Sequence, residues 1–277
     1  MRDRPFDEVK ADMNDGKSVL SVAYNLIRQM QAEASADDLS AEQDTIARNV
    51  AGVAYAGAAD TTTAAAESFV LAMAMYPDVQ KRAQAELDAI VGPSRLPGFS
   101  DLDSLTYVRA VVMENLRWMP TVPLGIPHRL IEDDEYNGNH IPKGAIITPN
   151  VWAMMHNSDD YPEPETFKPE RFIGSDGNIN SAIRDPRTIA FGFGRRACPG
   201  SDFAISLLSI CVASMLHVFD IQAGIDDHGQ PVILSSETGG DAIASPLTFP
   251  RRMRSRSIQA ERLIRDAALD AEEVDLL

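Results

Sequence analysis

The chain has 277 residues, 44% apolar and 24% charged, the balance of an ordinary soluble globular protein of one large or two ordinary domains. With 41 acidic against 25 basic residues the net charge is −16, which excludes a general nucleic-acid binder, because phosphate neutralisation needs clustered cations. Two cysteines, Cys198 and Cys211, cannot make a disulfide scaffold, and 17 Gly with 17 Pro are too few for a low-complexity chain.

The opening MRDRPFDEVK holds no signal-peptide core, and no segment reaches the run of about 18 apolar residues that spans a bilayer. Residues Phe6 to Gln31 read as a mixed helical pattern with Leu20, Tyr24 and Ile27 on one face, and the polar stretch Ala34 to Asp38 punctuates it. Ser40 and Gln43 then form a capping box, with Glu42 and Asp44 well placed in the first turn of a helix. That helix runs without proline to about Met75, roughly 50 Å at 1.5 Å per residue. Between Val50 and Ala59 it is apolar nearly all round, which predicts a buried middle.

Pro77 suits the first turn of the next helix, which runs to Val91 before Gly92-Pro93 stops it. A further helix extends from about Leu105 to Met119 and ends at Pro120. Pro123 to Pro149 reads as β, with a hairpin turn at Asn137-Gly138 and a second turn at Pro142-Lys143-Gly144. Asn150 to Ala190 is loop-rich, a helix runs from Cys198-Pro199 to about His217, and β and turn signals fill Phe219 to Pro250. The tail from Ser257 is helical. The order describes a mainly α protein with small β sheets, without internal repeats. Arg251, Arg252, Arg254 and Arg256 form the one basic cluster, read first as a solvated surface run. If Cys198 and Cys211 share a helix, roughly 20 Å of rise separates them, too far for a disulfide.

The sharpest feature is FGFGRRACPG, Phe191 to Gly200. Gly192 and Gly194 let the backbone approach a ligand closely, Cys198 sits at the mouth of a helix whose first position is Pro199, and Arg195 and Arg196 flank it. A helix N-terminus and nearby guanidinium groups both favour thiolate. Such a thiolate is a nucleophile, a redox sensor or a metal ligand, and the loop alone leaves all three open.

The pattern Phe191-x-x-Gly194-x-Arg196-x-Cys198-x-Gly200 resembles the haem-binding loop of the cytochrome P-450 monooxygenases. Glu114-Asn115-Leu116-Arg117 resembles that family's E-x-x-R element; taken alone, such an i, i+3 pair is usually a surface salt bridge. Phe167 to Phe172, FKPERF, resembles its P-E-R-F segment, and the resemblance joins Arg171 to Glu114 and Arg117 in a buried structural triad. Ala56 to Thr63, AGAADTTT, resembles the oxygen-binding groove, which assigns proton delivery to the acid–alcohol pair Asp60 and Thr61, with Ala58 where the pattern usually has glycine. The other reading of that segment is a helix interruption or the N-cap of a second helix. Ile126 to Ile147 is similar to the strand pair that follows, which puts His128 or Arg129, alongside Arg196, against a haem propionate; His128 as an ordinary strand histidine is the equal alternative.

The D-T-T segment, E-x-x-R, P-E-R-F and the Cys198 loop stand in the family's order, with a fungal look at both ends. The resemblance implies an α-rich fold, C-terminal part only, with residues 1–277 as a single partial domain that lacks the family's N-terminal portion. It implies haem as cofactor, Cys198 as axial ligand of the iron, and Phe191 and Gly194 in the cofactor loop. It implies insertion of one oxygen atom of O2 into a small hydrophobic organic substrate, with electrons from NADPH through NADPH-cytochrome P-450 reductase. Part of a substrate wall falls at Val50 to Thr62, Pro120 to Ile126 and Glu237 to Ala244. Full-length relatives are expected at the endoplasmic-reticulum membrane, and this chain, without an anchor, as soluble or peripheral. The alternatives are a truncated, non-catalytic fragment with weak or no haem binding, and a thiol-dependent redox protein using Cys198.

Overall fold

The computed structural model describes residues 3–17, 20–34, 39–240 and 242–275. Most of the punctuating stretch, residues 35–38, and Asp241 of the expected wall lie outside the described residues. The chain folds as two compact units, Met1–Asp60 with Asp270–Leu277, and Thr61–Leu269.

The first unit contains α1 (Asp3–Asn14), α2 (Val22–Ala34) and the beginning of α3 (Ala41–Met75). Phe6, Ala23, Ile27 and Ala47 form its core. Arg48 ties the helices together: its guanidinium donates to Asp44 at 2.7 Å, pairs with Asp7 at 2.6 Å and lies over the Phe6 ring. Lys10 and Arg48 hold the Asp44 carboxyl below its ordinary pKa through hydrogen bonds. The mixed helical pattern over Phe6 to Gln31 resolves into two helices, α1 and α2. Gly16, at φ +72°, ends α1 by donating to the Met13 carbonyl, and Leu20 falls before α2 and is 77% exposed.

The capping box of α3 forms, with Ser40 N–H donating to Gln43 Oε1 at 3.0 Å and Gln43 N–H to Ser40 Oγ at 3.3 Å. The helix passes through AGAADTTT without interruption. Its middle is not buried as its apolar pattern predicted: Val53 is 73% and Tyr55 63% exposed. An all-round apolar stretch records a preference for cover, and within the first unit the packing stops at Ala51.

The second unit packs α4 (Pro77–Ile90), α5 (Thr106–Trp118) and α8 (Ser201–Val218) with the last turns of α3 around Phe69, Leu87, Leu105, Val111, Val212 and Leu216. Pro77 opens α4, and Gly92 at φ +72° closes it by donating to the Leu87 carbonyl. Two small antiparallel sheets follow α5. Strand β1 (His128–Arg129) pairs with β4 (Ile146–Ile147), and β2 (Asp134–Tyr136) pairs with β3 (Asn139–Ile141) across Asn137-Gly138, both at positive φ. Short helices α6 (Val151–Met155) and α7 (Arg187–Ala190) flank a 3-10 turn at Pro169–Phe172. Met155, Tyr161, Phe172 and Ile189 form a second core with Ala110 and Met113 of α5.

After α8, strand β5 (Phe219–Ala223) pairs with β6 (Arg251–Ser255), and α9 (Ile258–Asp275) ends the described chain. The basic run is more than a solvated surface: Arg252 bonds Gln222, and Arg256, just past β6, binds Asp88 through both nitrogens at 2.6 and 3.0 Å. The fold is mainly α with small antiparallel sheets, as expected.

Helix α8 corrects the expectation that no segment is long and apolar enough to cross a bilayer. Ser206, Ser209 and Ser214 break its apolar run, yet the helix remains long and apolar enough on average. Leu208, Val212, Ala213 and Leu216 are buried against the core, the setting of a core helix. Helix α8 also starts later than the sequence pattern placed it. Gly200 is its N-cap and Ser201 its first residue, so Pro199 lies outside it.

Candidate functional site

Residues 191–200 form a loop built on two left-handed glycines, Gly192 at φ +78° and Gly194 at φ +58°. A side chain at either position would strain the backbone. Gly194–Arg196 is a 3-10 turn closed by the Ala197 N–H on the Gly194 carbonyl at 3.2 Å. The Cys198 N–H donates to the Phe191 carbonyl at 2.7 Å, so the amide of Cys198 serves the loop and not α8. The loop thus brings Phe191, Gly194, Arg196 and Cys198 together. Phe191 is packed against the core, whereas Arg196 and Cys198 are exposed. The Cys198 thiol is free, as is that of Cys211, which lies within α8.

Glu114 and Arg117 sit one turn apart on α5 with side chains fully buried, and Arg171 reaches them from the Pro169–Phe172 turn. Arg117 grips the Glu114 carboxylate through Nε at 2.9 Å and a terminal nitrogen at 2.8 Å. Arg171 Nε approaches both carboxylate oxygens, at 3.1 and 3.2 Å. The Lys168 N–H gives Glu114 a further bond at 2.8 Å. The remaining guanidinium donors find carbonyls: Arg117 bonds Met155, and Arg171 bonds Pro162, Glu163 and Thr166. Every charge is therefore paired and hydrogen-bonded, the condition for burying ions.

The sequence reading missed two contributors to this cluster. The Lys168 amide carries no side-chain signal. Tyr161, whose ring lies 5.6 Å beneath the Arg117 guanidinium, is buried, and burial pushes its phenol up to about 12. The signal for Tyr161 was an aromatic eight residues before Pro169, which sequence spacing alone does not distinguish from a core residue.

His128 and Arg129 lie on β1, both exposed, opposite Ile147 and Ile146 of β4. Asp60 is exposed and Thr61 half-buried, adjacent on α3. The linked cluster is thus Glu114, Arg117 and Arg171, and the linked loop is Phe191, Gly194, Arg196 and Cys198.

Among the described residues no group of three or more His, Cys, Asp or Glu side chains could hold a metal ion. Cys198 is thus a single soft donor on a loop that offers it to solvent. A protein-only metal site needs three or four ligands, whereas one thiolate suffices as the axial ligand of an iron whose other positions come from a macrocycle. The donor set fits haem.

The family model described as cytochrome P-450 matches residues 2–238. The cytochrome P-450 monooxygenase ple1 of Rhodocybe pseudopiperita is 40% identical over 270 residues, 97% of this chain and 50% of its own length. The monooxygenase claR of Ampulloclitocybe clavipes is 40% identical over 95% of this chain and 47% of its own. Monooxygenase 45 of Postia placenta is 45% identical over 84% of this chain and 44% of its own. The chain spans about half the length of these fungal relatives. With the family model matching residues 2–238 and relatives aligned over nearly the whole chain, the loop of Cys198 and the cluster of Glu114 have one common explanation: the chain belongs to the cytochrome P-450 family.

Proposed function

We propose that this chain carries the thiolate half of a haem monooxygenase, in which Cys198 would hold the haem iron. The single observation that carries the reading is the coexistence of a free, exposed Cys198 on a two-glycine loop with the buried Glu114–Arg117–Arg171 cluster in the same unit. When bound, haem supplies the redox chemistry by which O2 delivers one oxygen atom to an organic substrate.

The chain's own residues have the remaining tasks. Cys198 Sγ would ligate the iron, and the left-handed Gly192 and Gly194 would let the backbone around it approach the haem closely. Arg196, with His128 or Arg129, would donate hydrogen bonds to the haem carboxylates. Phe191 closes the loop onto the core. Asp60 and Thr61, an acid and an alcohol on consecutive residues of α3, would relay protons. Glu114, Arg117 and Arg171 keep the turn at Pro169–Phe172 in place. Electrons come from NADPH through a reductase, and the substrate is a small hydrophobic organic molecule.

Haem titration of the wild-type chain and of Cys198→Ala, followed by absorbance, tests the reading. A thiolate-type Soret band in the wild type alone supports it. Identical spectra from the two proteins contradict it.

A further inference from the structure

The Pro169–Phe172 turn is clamped from two sides. Arg171 points inward to Glu114, and its neighbour Glu170 points the other way. Glu170 Oε1 accepts from the Tyr107 hydroxyl at 2.6 Å and from Arg82 at 3.0 Å. The Arg82 guanidinium also lies 4.4 Å over the Tyr107 ring. Arg82 belongs to α4 and Tyr107 to the first turn of α5, so one carboxylate joins three elements.

A second carboxylate completes the brace. The N-cap of α5 is Leu105, which has no side-chain acceptor. Glu86 of α4 supplies one: its two oxygens accept from the backbone N–H groups of Tyr107 and Val108 at 2.8 and 2.9 Å. These are orphan donors of the first helical turn, and a carboxylate there also meets the positive end of the helix dipole. Burial and the adjacent Glu170 raise the Tyr107 phenol far above its ordinary pKa, which keeps it a donor.

The brace has a route to the cysteine loop. Phe172 of the same turn is buried with Ile189 in one cluster, and the Gly192 N–H donates to the Ile189 carbonyl at 3.2 Å.

We propose that Glu170 is a positioning residue. Held by Tyr107 and Arg82, it fixes the turn from which Arg171 and the Lys168 amide reach Glu114. Through Phe172 and Ile189 it sets the seat of the Cys198 loop. This last step rests on the reading of Cys198 as a haem ligand, whereas the effect on the turn does not.

Hydrogen–deuterium exchange on the full chain separates the two. In Glu170→Ala, exchange at Lys168 and through residues 168–173 is expected to quicken by about ten-fold, the loss of one charge-assisted bond. The peptides of α8 are expected to be unchanged. Glu170→Gln retains an acceptor for the Tyr107 hydroxyl and is expected to recover most of the protection. Unchanged exchange in Glu170→Ala overturns the proposal, as does an equal acceleration throughout the core. In haem-loaded protein, Glu170→Ala is expected to shift carbon-monoxide spectra from thiolate-type towards thiol-type bands, and Glu170→Gln to restore them. An unshifted spectrum overturns the link to the loop even where the turn loosens. A wild type without any haem spectrum overturns both the functional reading and that link, and leaves the exchange result to decide the brace.

Discussion

Arg117 binds the Glu114 carboxylate through two hydrogen bonds of 2.8 and 2.9 Å while both side chains are wholly removed from solvent. An i, i+3 pair on a surface helix contributes a few tenths of a kcal/mol, but a buried one is held by consequence: remove one member and the other charge is stranded. Glu114→Ala leaves two guanidinium groups, of Arg117 and Arg171, without a counter-ion. It is expected to destabilise the second unit by about 3–5 kcal/mol, read as a fall in the urea midpoint. A midpoint within experimental error of the wild type contradicts this account of the cluster.

Gln80 of α4 takes the place of a neighbouring strand. Its side-chain amide donates to the Ile221 carbonyl at 2.8 Å and accepts from the Ile221 N–H at 2.7 Å. Both groups are buried. Gln80→Leu leaves the two backbone groups unpaired and is expected to lower stability by about 1–3 kcal/mol per group. Denaturant unfolding of this variant measures the effect, and a neutral result means that the β5 backbone has another partner.

His217 sits at the last turn of α8, 5% exposed, with Nδ1 unpartnered among the described residues. Burial lowers its pKa, the Arg256 guanidinium adds to the effect, and Asp88 and a hydrogen bond to the Arg95 backbone oppose it. The folded protein therefore takes up this proton less readily than the unfolded chain. The neutral histidine's contribution is present above the unfolded pKa, about 6.5, and is lost as the pH falls below it. Melting temperature is expected to drop on acidification from pH 7 to 5, and less steeply in His217→Gln. His156, lowered mainly by burial, leaves a residual slope of the same sign. A steeper fall in His217→Gln than in the wild type refutes the assignment.

Thr61→Ala removes the alcohol of the acid–alcohol pair on α3 while leaving a strong helix former in its place. On its proposed role in proton delivery, the expected effect is on the fate of electrons, with more hydrogen peroxide and less product per electron supplied. Unaltered coupling in an active preparation removes Thr61 from proton delivery.

Helix ends were largely legible. Ser40 with Gln43, Pro77, Gly92 and Asn137-Gly138 each act through local backbone chemistry, and each does in the structure what its type and position predict. The break between α1 and α2 was legible too, in Gly16 after Asn14-Asp15, but the apolar spacing of Tyr24 and Ile27 obscured it. Periodicity revealed that α3 has apolar faces around Val53 and Tyr55 but not whether anything covers them. The late start of α8 follows from a backbone bond, Cys198 N–H to the Phe191 carbonyl, that residue types do not encode.

Within the site, the charged members Glu114, Arg117 and Arg171 could be named because charge at fixed spacing is visible in sequence. Glu86 could not, because it caps a helix 21 residues further along the chain. A leucine at the N-cap of α5 was the clue that a capping group had to come from elsewhere.

The most direct test of the central claim is the carbon-monoxide difference spectrum of the dithionite-reduced chain expressed with haem supplementation. The account predicts a thiolate-type Soret shift in the wild type and its loss in Cys198→Ala and Cys198→His. A folded, stable wild type that takes up no haem, or a thiolate-type band that persists in Cys198→Ala, contradicts it.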